Sequence, residues 1–244
     1  MKKKKLSSNA ISGFLWNALD RLFVTFAQFI VGIILARLLI PRDFGLIGML
    51  SVFITVSQVF VDSGMASGLI QKQNCSNKDY STVFIFNILV SITIYLFLFI
   101  AAPYIARFYS EPVLINLTMI YAVILIIDSL AIIQRTKLLI ELNFKIISKI
   151  NIISLSVSGV ISIFAAFKGF GMWSLVLQRI VAAILMSVGY WVLGKWELST
   201  VFSKKSFEEL IGFGTKLLTA SLINRSMLET YNLLIGKYQS ANLL

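Results

Sequence analysis

Seven charged residues interrupt long apolar stretches of the sequence: Asp20, Arg21, Asp62, Asp128, Arg179, Arg225 and Glu229. Each would cost about 2.5–3.5 kcal/mol at the centre of a membrane-spanning helix. Groups this costly normally face a bundle interior or a water-filled cavity. Arg21, Arg179 and Arg225 suit an anion, because a guanidinium presents a planar fork of donors to phosphate oxygens. Asp62, Asp128 and Glu229 suit uptake of a proton or Na⁺, provided that burial raises their affinity for it. The set is nearly neutral, with three positive and four negative members.

The charges share helix faces with other polar groups, since residues three or four apart fall on one side of a helix. Asn17, Arg21, Thr25, Gln28 and Gly32 form one stripe, and Gly48, Ser51, Thr55, Gln58 and Asp62 form another. Tyr121, Asp128 and Arg135 recur every seven residues. Asn151, Ser154, Ser158 and Ser162 share a face, as do Ser221, Arg225, Glu229, Asn232 and Gly236. Several striped helices point to a hydrated central pathway. Its candidate residues are Arg21, Arg179 and Arg225 for an anionic substrate, with Asp20, Asp62, Asp128, Glu229, Gln28 and Gln58 for the coupling or polar route. Each also has a plainer structural role open to it. Asp20 can pair with Arg21, Asp62 can cap the turn at Ser63 and Gly64, and Arg225 can pair with Glu229. For Ser154, Ser158 and Ser162, close helix packing through small residues is the preferred reading.

The elements that must hold these groups are long apolar helices. The chain has 244 residues, is 58% hydrophobic and 14% charged, and has a mean hydropathy of +0.87. A soluble domain is about one quarter charged, so lipid is the natural solvent for this surface. Seven spans are expected, at about 11–39, 44–69, 81–106, 112–134, 150–167, 169–194 and 215–236. The first two form a hairpin. Pro41 cannot sit inside a helix, and Arg37, Arg42 and Asp43 cluster at that link. With the N-terminus inside, fourteen lysines and arginines fall in inner segments and five in outer links. That bias sets the orientation and accounts for the net charge of +11 without nucleic acid. Lys2 to Lys5 resemble the start of a signal peptide, but no small-x-small cleavage site follows the apolar run.

The segment 196–213 differs. Ser206 and Glu209 have the spacing of a capping box, and Phe207, Leu210 and Ile211 share a face. This predicts an amphipathic helix on the inner membrane surface. An offset of 200 residues lays Ile34-Leu35-Ala36-Arg37 over Leu234-Ile235-Gly236-Lys237, the mark of a repeated half. The expected division is a six-helix lobe over 1–195, a linker helix over 196–213, and the first helix of a truncated second lobe over 214–244. The chain lacks histidine, and Cys75 is its one cysteine. Cys/His metal clusters and Ser-His or Cys-His nucleophile pairs are therefore excluded. No Gly-x4-Gly-Lys-Ser/Thr loop is present, so P-loop ATP hydrolysis is excluded too. No cofactor is expected beyond a coupling H⁺ or Na⁺.

The run Ile34-Leu35-Ala36-Arg37-Leu38-Leu39-Ile40-Pro41-Arg42-Asp43-Phe44-Gly45-Leu46, followed by Val59-Phe60-Val61-Asp62-Ser63-Gly64 and Leu69-Ile70-Gln71-Lys72, resembles the opening of the Wzx-type polysaccharide transporters. These belong to the MOP superfamily, with the MATE exporters and the lipid II flippases. Ala101–Tyr109, Phe167–Val176 and the stretch from Phe213 to Lys237 are similar as well. The resemblance implies an all-α, polytopic membrane helical bundle with two lobes around a cationic cavity, this chain corresponding to the N-lobe plus one helix. It implies a bacterial plasma-membrane protein, not an enzyme, that flips an undecaprenyl-diphosphate-linked oligosaccharide for O-antigen or exopolysaccharide export. Its partners would be that lipid-linked oligosaccharide, membrane lipids and polysaccharide polymerase or assembly proteins. A MATE-like cation antiporter and a non-transporting scaffold of an assembly complex are the alternatives. The three arginines oppose the first.

Overall fold

A computed structural model describes the backbone of residues 2–72, 75–194, 196–199 and 201–238, with side chains over 15–72, 75–194, 196–199, 201–225 and 227–228. The described elements are helices: α1 (Lys2–Leu38), α2 (Pro41–Asp62), α3 (Met65–Gln71), α4 (Asn77–Tyr109), α5 (Leu114–Tyr121), α6 (Val123–Ile140), α7 (Phe144–Phe167), α8 (Trp173–Leu193) and α9 (Lys204–Tyr238). Six spans among the described residues are long and apolar enough to cross a membrane, α5 and α6 together making one of them over Leu114–Ile140. The chain is an all-α polytopic membrane bundle. In lipid only elements that satisfy their own backbone groups can span, which helices do.

Local chemistry sets the breaks. Pro41 opens α2, where a missing N–H costs nothing. α2 ends at Ser63, which is left-handed at φ 47° and whose N–H donates to the carbonyls of Val59 and Phe60. Gly64 follows at φ 68°. The expected continuous span to residue 69 therefore stops at Asp62, because two successive left-handed residues cannot continue a right-handed helix. Asp62 itself does not cap this turn, which backbone donors close. A capping box does start α4: Ser76 and Asp79 exchange side-chain and backbone hydrogen bonds.

Packing uses small and self-satisfied polar residues, since lipid supplies little hydrophobic drive between helices. α7 lies against α1 and α8, and α6 against α4 and α8. A Cβ on Gly159 of α7 would meet Val31 of α1 at 2.9 Å, so the glycine sets how closely those helices approach. Ser158 and Ser162 beside it are fully buried and donate to the carbonyls of Leu155 and Gly159 of their own helix. The serine stripe is helix packing.

α9 revises the expected linker in two respects. It runs unbroken from Lys204 to Tyr238, through both the proposed surface helix and the seventh span. Its cap is Ser203, whose Oγ accepts from the Ser206 N–H at 3.3 Å, so Ser206 is not the cap. Nor does its apolar face lie on lipid. Leu210 is buried among Met65, Leu69 and Tyr80, with Phe207 and Ile211 packed alongside. The approach is close at Gly64, where a Cβ would come within 2.5 Å of the Gly214 carbonyl oxygen.

Candidate functional site

Two polar chambers open between the helices and share a wall. One, of about 400 Å³, lies between α2, α3, α6 and α9 and is lined by Thr55, Gln58, Asp62, Ser67, Arg135, Ser221 and Arg225 among others. The other, of about 310 Å³, is lined by Gln28 of α1, Gln58 and Asp62 of α2, Asp128 and Arg135 of α6, Asn151 of α7, and Arg179 and Tyr190 of α8. Gln58, Asp62, Ile132 and Arg135 border both.

The periodicity of each helix explains this convergence. Thr55, Gln58 and Asp62 follow at intervals of three and four, and Asp128 and Arg135 at seven, so each helix turns one polar edge inward. The Gln58 Nε2 donates to Asp128 Oδ2 at 2.6 Å and bridges α2 to α6. A second chain of polar contacts leads away from the chamber lined by Asp128 and Arg179. The Tyr190 hydroxyl donates to Asn151 Oδ1 at 3.3 Å, and Asn151 Nδ2 donates to Asp20 Oδ2 at 3.0 Å. Asp20 Oδ1 is buried without a hydrogen-bond partner among the described residues. Asp20 thus binds α7 rather than pairing with Arg21.

The chambers gather Gln28, Gln58, Asp62, Asp128, Arg179 and Arg225 of the residues expected from the sequence. Arg21 is exposed on α1 and lines neither chamber. Glu229 falls in α9, but its side chain lies outside the described residues. Arg135 and Tyr190 line the site without having been singled out for it. Arg135 sits near the end of α6, and its spacing of seven from Asp128 places it on the same face. Arg135 and Arg179 form no ion pair within 4.0 Å among the described residues. No group of three or more metal-ligating side chains occurs among the described residues.

The two ends of the bundle are tied by ion pairs. Arg42 binds Glu111 at 2.7 Å at one end. At the other, Lys72 binds both Asp79 of α4 and Glu209 of α9, each at 2.9 Å. The Asp79 bond, then the Glu209 bond, raise the Lys72 ammonium above its ordinary 10.5. Close by, Cys75 donates to the Leu69 carbonyl, and burial pushes its thiol up. Trp196 adds an uncharged tie: its Nε1 donates to Asn77 Oδ1 at 2.6 Å, and its carbonyl accepts from Gln134 at 2.9 Å.

An apolar helical bundle holding charged chambers defines a multi-pass membrane protein. The sequence matches the polysaccharide biosynthesis protein family over residues 34–244, and the chain belongs to that family. The resemblance to Wzx-type polysaccharide transporters holds. The chain is 25% identical to the teichuronic acid biosynthesis protein TuaB of Bacillus subtilis (strain 168), over 98% of this chain and 50% of that one. It is 24% identical to the succinoglycan biosynthesis transport protein ExoT of Rhizobium meliloti (strain 1021), over 91% of this chain and 45% of that one. It is also 27% identical to an uncharacterized membrane protein in the cps region of Klebsiella pneumoniae, over 59% of this chain and 30% of that one. The chain spans about half the length of the first two relatives. No solved structure matches it.

Proposed function

We propose that this chain takes part in moving an undecaprenyl-diphosphate-linked oligosaccharide from the inner to the outer leaflet of a bacterial plasma membrane, with its N-terminus cytoplasmic. Family membership supports a role in polysaccharide export. The observation that carries the finer reading is the pair of chambers lined by Arg135, Arg179 and Arg225 within otherwise apolar helices. Their guanidiniums match the phosphate oxygens of the carrier. Asp62 and Asp128 line the same space and supply sites for a coupling H⁺ or Na⁺. The lipid-linked glycan, bulk lipids and the polymerase or assembly proteins that receive the glycan are the partners of this reading.

The experiment is deletion of the gene in its host. Lipid-linked repeat units should accumulate on the inner leaflet while surface polysaccharide falls, and the restored gene should reverse both. Loss of polysaccharide without accumulation of the lipid-linked unit would favour a scaffold. Polysaccharide at the normal level would overturn the export role.

A further inference from the structure

We propose that the segment joining α8 to α9 docks on phospholipid, seating Leu198, Val201 and Phe202 at the boundary between headgroups and acyl chains in the leaflet at the Lys72 end of the bundle. The inference rests on the membrane setting of the chain and is independent of what the chambers carry.

The segment is held from both sides. Trp196 is buried, donates from Nε1 to Asn77 and accepts at its carbonyl from Gln134. The Ser203 N–H donates to Thr82 Oγ1 at 2.9 Å. Between these fixed points three large apolar side chains turn outward: Leu198 is 55% exposed, Val201 47% and Phe202 49%. Phe202 keeps one side against Phe207, with ring centroids 5.8 Å apart, and Phe207 lies on Phe86 of α4 at 5.2 Å. A backbone pinned at both ends makes these groups a surface and not the tip of a frayed loop.

What covers the surface follows from where the segment crosses α4. Thr82, Phe86, Leu89, Leu96 and Ile100 follow at intervals of four, three, seven and four, so they share one helix face. Leu89, Leu96 and Ile100 are exposed on a membrane-spanning helix. No α4 residue borders either chamber among the described residues, so this stripe meets acyl chains. Ser203 and Phe207 cover its last two members at the Lys72 end, Thr82 and Phe86. The segment therefore lies on the lipid side of α4, and Leu198, Val201 and Phe202 continue that apolar surface. Its depth has two limits. The backbone here is not helical, and such backbone is kept out of lipid-exposed hydrocarbon. The neighbouring Lys78, Lys204, Lys205, Glu197 and Glu208 are exposed and stay among headgroups and water. The contact fixes the depth at which α9 begins, one residue beyond Ser203.

The test uses the full chain in phospholipid nanodiscs. In a Cys75→Ser background, an environment-sensitive fluorophore is attached to Phe202→Cys and, separately, to Leu198→Cys, with Lys205→Cys as the water-facing reference. Phospholipid brominated near the head of the acyl chain should quench the first two labels about twofold more than phospholipid brominated near its tail, as for groups seated at the interface. Iodide in the water should quench them less than the label on Lys205→Cys. Labels open to iodide and indifferent to bromine would place the segment in water and overturn the docking. Labels closed to both would place it under protein, such as a second copy of the chain, and overturn it equally. Thermal unfolding identifies any variant that fails to fold. The unaltered chain then carries the test, irradiated with a phospholipid whose photoreactive group sits near the head of the acyl chain. Adducts on residues 196–205 support the docking, and adducts confined to the membrane-spanning helices overturn it.

Discussion

Asp128 shows how a single residue can be costly and retained. Its carboxylate sits in a span, where it accepts from Gln58 of the neighbouring helix at 2.6 Å and shares a chamber with Arg179. Asp128→Leu removes that bridge and leaves Arg179 without its offset. Interhelical hydrogen bonds in membrane proteins are worth about 0.6 kcal/mol on average and up to about 1.7. The variant should lose stability in that range, read as a lower unfolding midpoint in detergent, and an unchanged midpoint would mean that the bridge contributes nothing. Much of this was legible beforehand. A charge in an apolar run announces itself, and the stripe Gln58, Asp62 and the pair Asp128, Arg135 gave the inward edges. The exceptions have physical causes. Arg135 falls just beyond the expected span 112–134 because helix ends cannot be read to within a turn, whereas α6 runs on to Ile140. Pairing of Asp20 with Arg21 is one reading the sequence leaves open, but residues adjacent in a helix point apart and its partner Asn151 comes from α7.

The elements of greatest consequence are α3 and α9. Three features fasten the start of α9 to the first helices: the Lys72 ion pairs to Asp79 and Glu209, the buried Leu210, and the contact of Gly64 with Gly214. Gly64 has two reasons to be glycine, a φ of 68° and a space that a Cβ would overfill. Gly64→Val should therefore undock α9, and hydrogen exchange of the amides over 204–213 should speed markedly. Exchange at the original rate would show that the contact is slack. Lys72→Met should act in the same direction but less, because ion pairs that keep contact with solvent contribute modestly. The Lys72 contribution also has a sign in pH. A lysine raised above 10.5 stabilises fully below that value and loses the effect only as pH climbs through the raised one. The clasp should thus hold throughout the neutral range, and exchange over 204–213 should be insensitive to pH there once the intrinsic rate is removed. From the sequence, 196–213 read as a lipid-facing amphipathic helix. Amphipathicity shows that a face must be covered and says nothing of the cover, and here it is α3 and α4.

At the scale of the whole molecule, the span order places Arg42 and Glu111 at one end of the bundle and Lys72, Asp79 and Glu209 at the other. The excess of basic residues predicts which end is cytoplasmic. In a Cys75→Ser background, Arg42→Cys should react with an impermeant maleimide added to intact cells, and Lys205→Cys should react only after the cells are opened. The reverse pattern would invert the assigned topology. The helical class and membrane setting followed from composition alone, because only lipid accommodates so much apolar surface. How the helices meet did not, since small-residue contacts such as Gly159 with Val31 carry no long-range signal in one sequence. The central claim is that these chambers serve the passage of a lipid-linked glycan. The most direct measurement places the purified protein in vesicles carrying a fluorescent polyprenyl-diphosphate oligosaccharide and follows the fraction hidden from an external quencher. The account predicts a hidden fraction that changes with time in vesicles bearing the unaltered chain and stays near the protein-free level with Arg135→Gln. A hidden fraction equal in vesicles with and without the protein would contradict it.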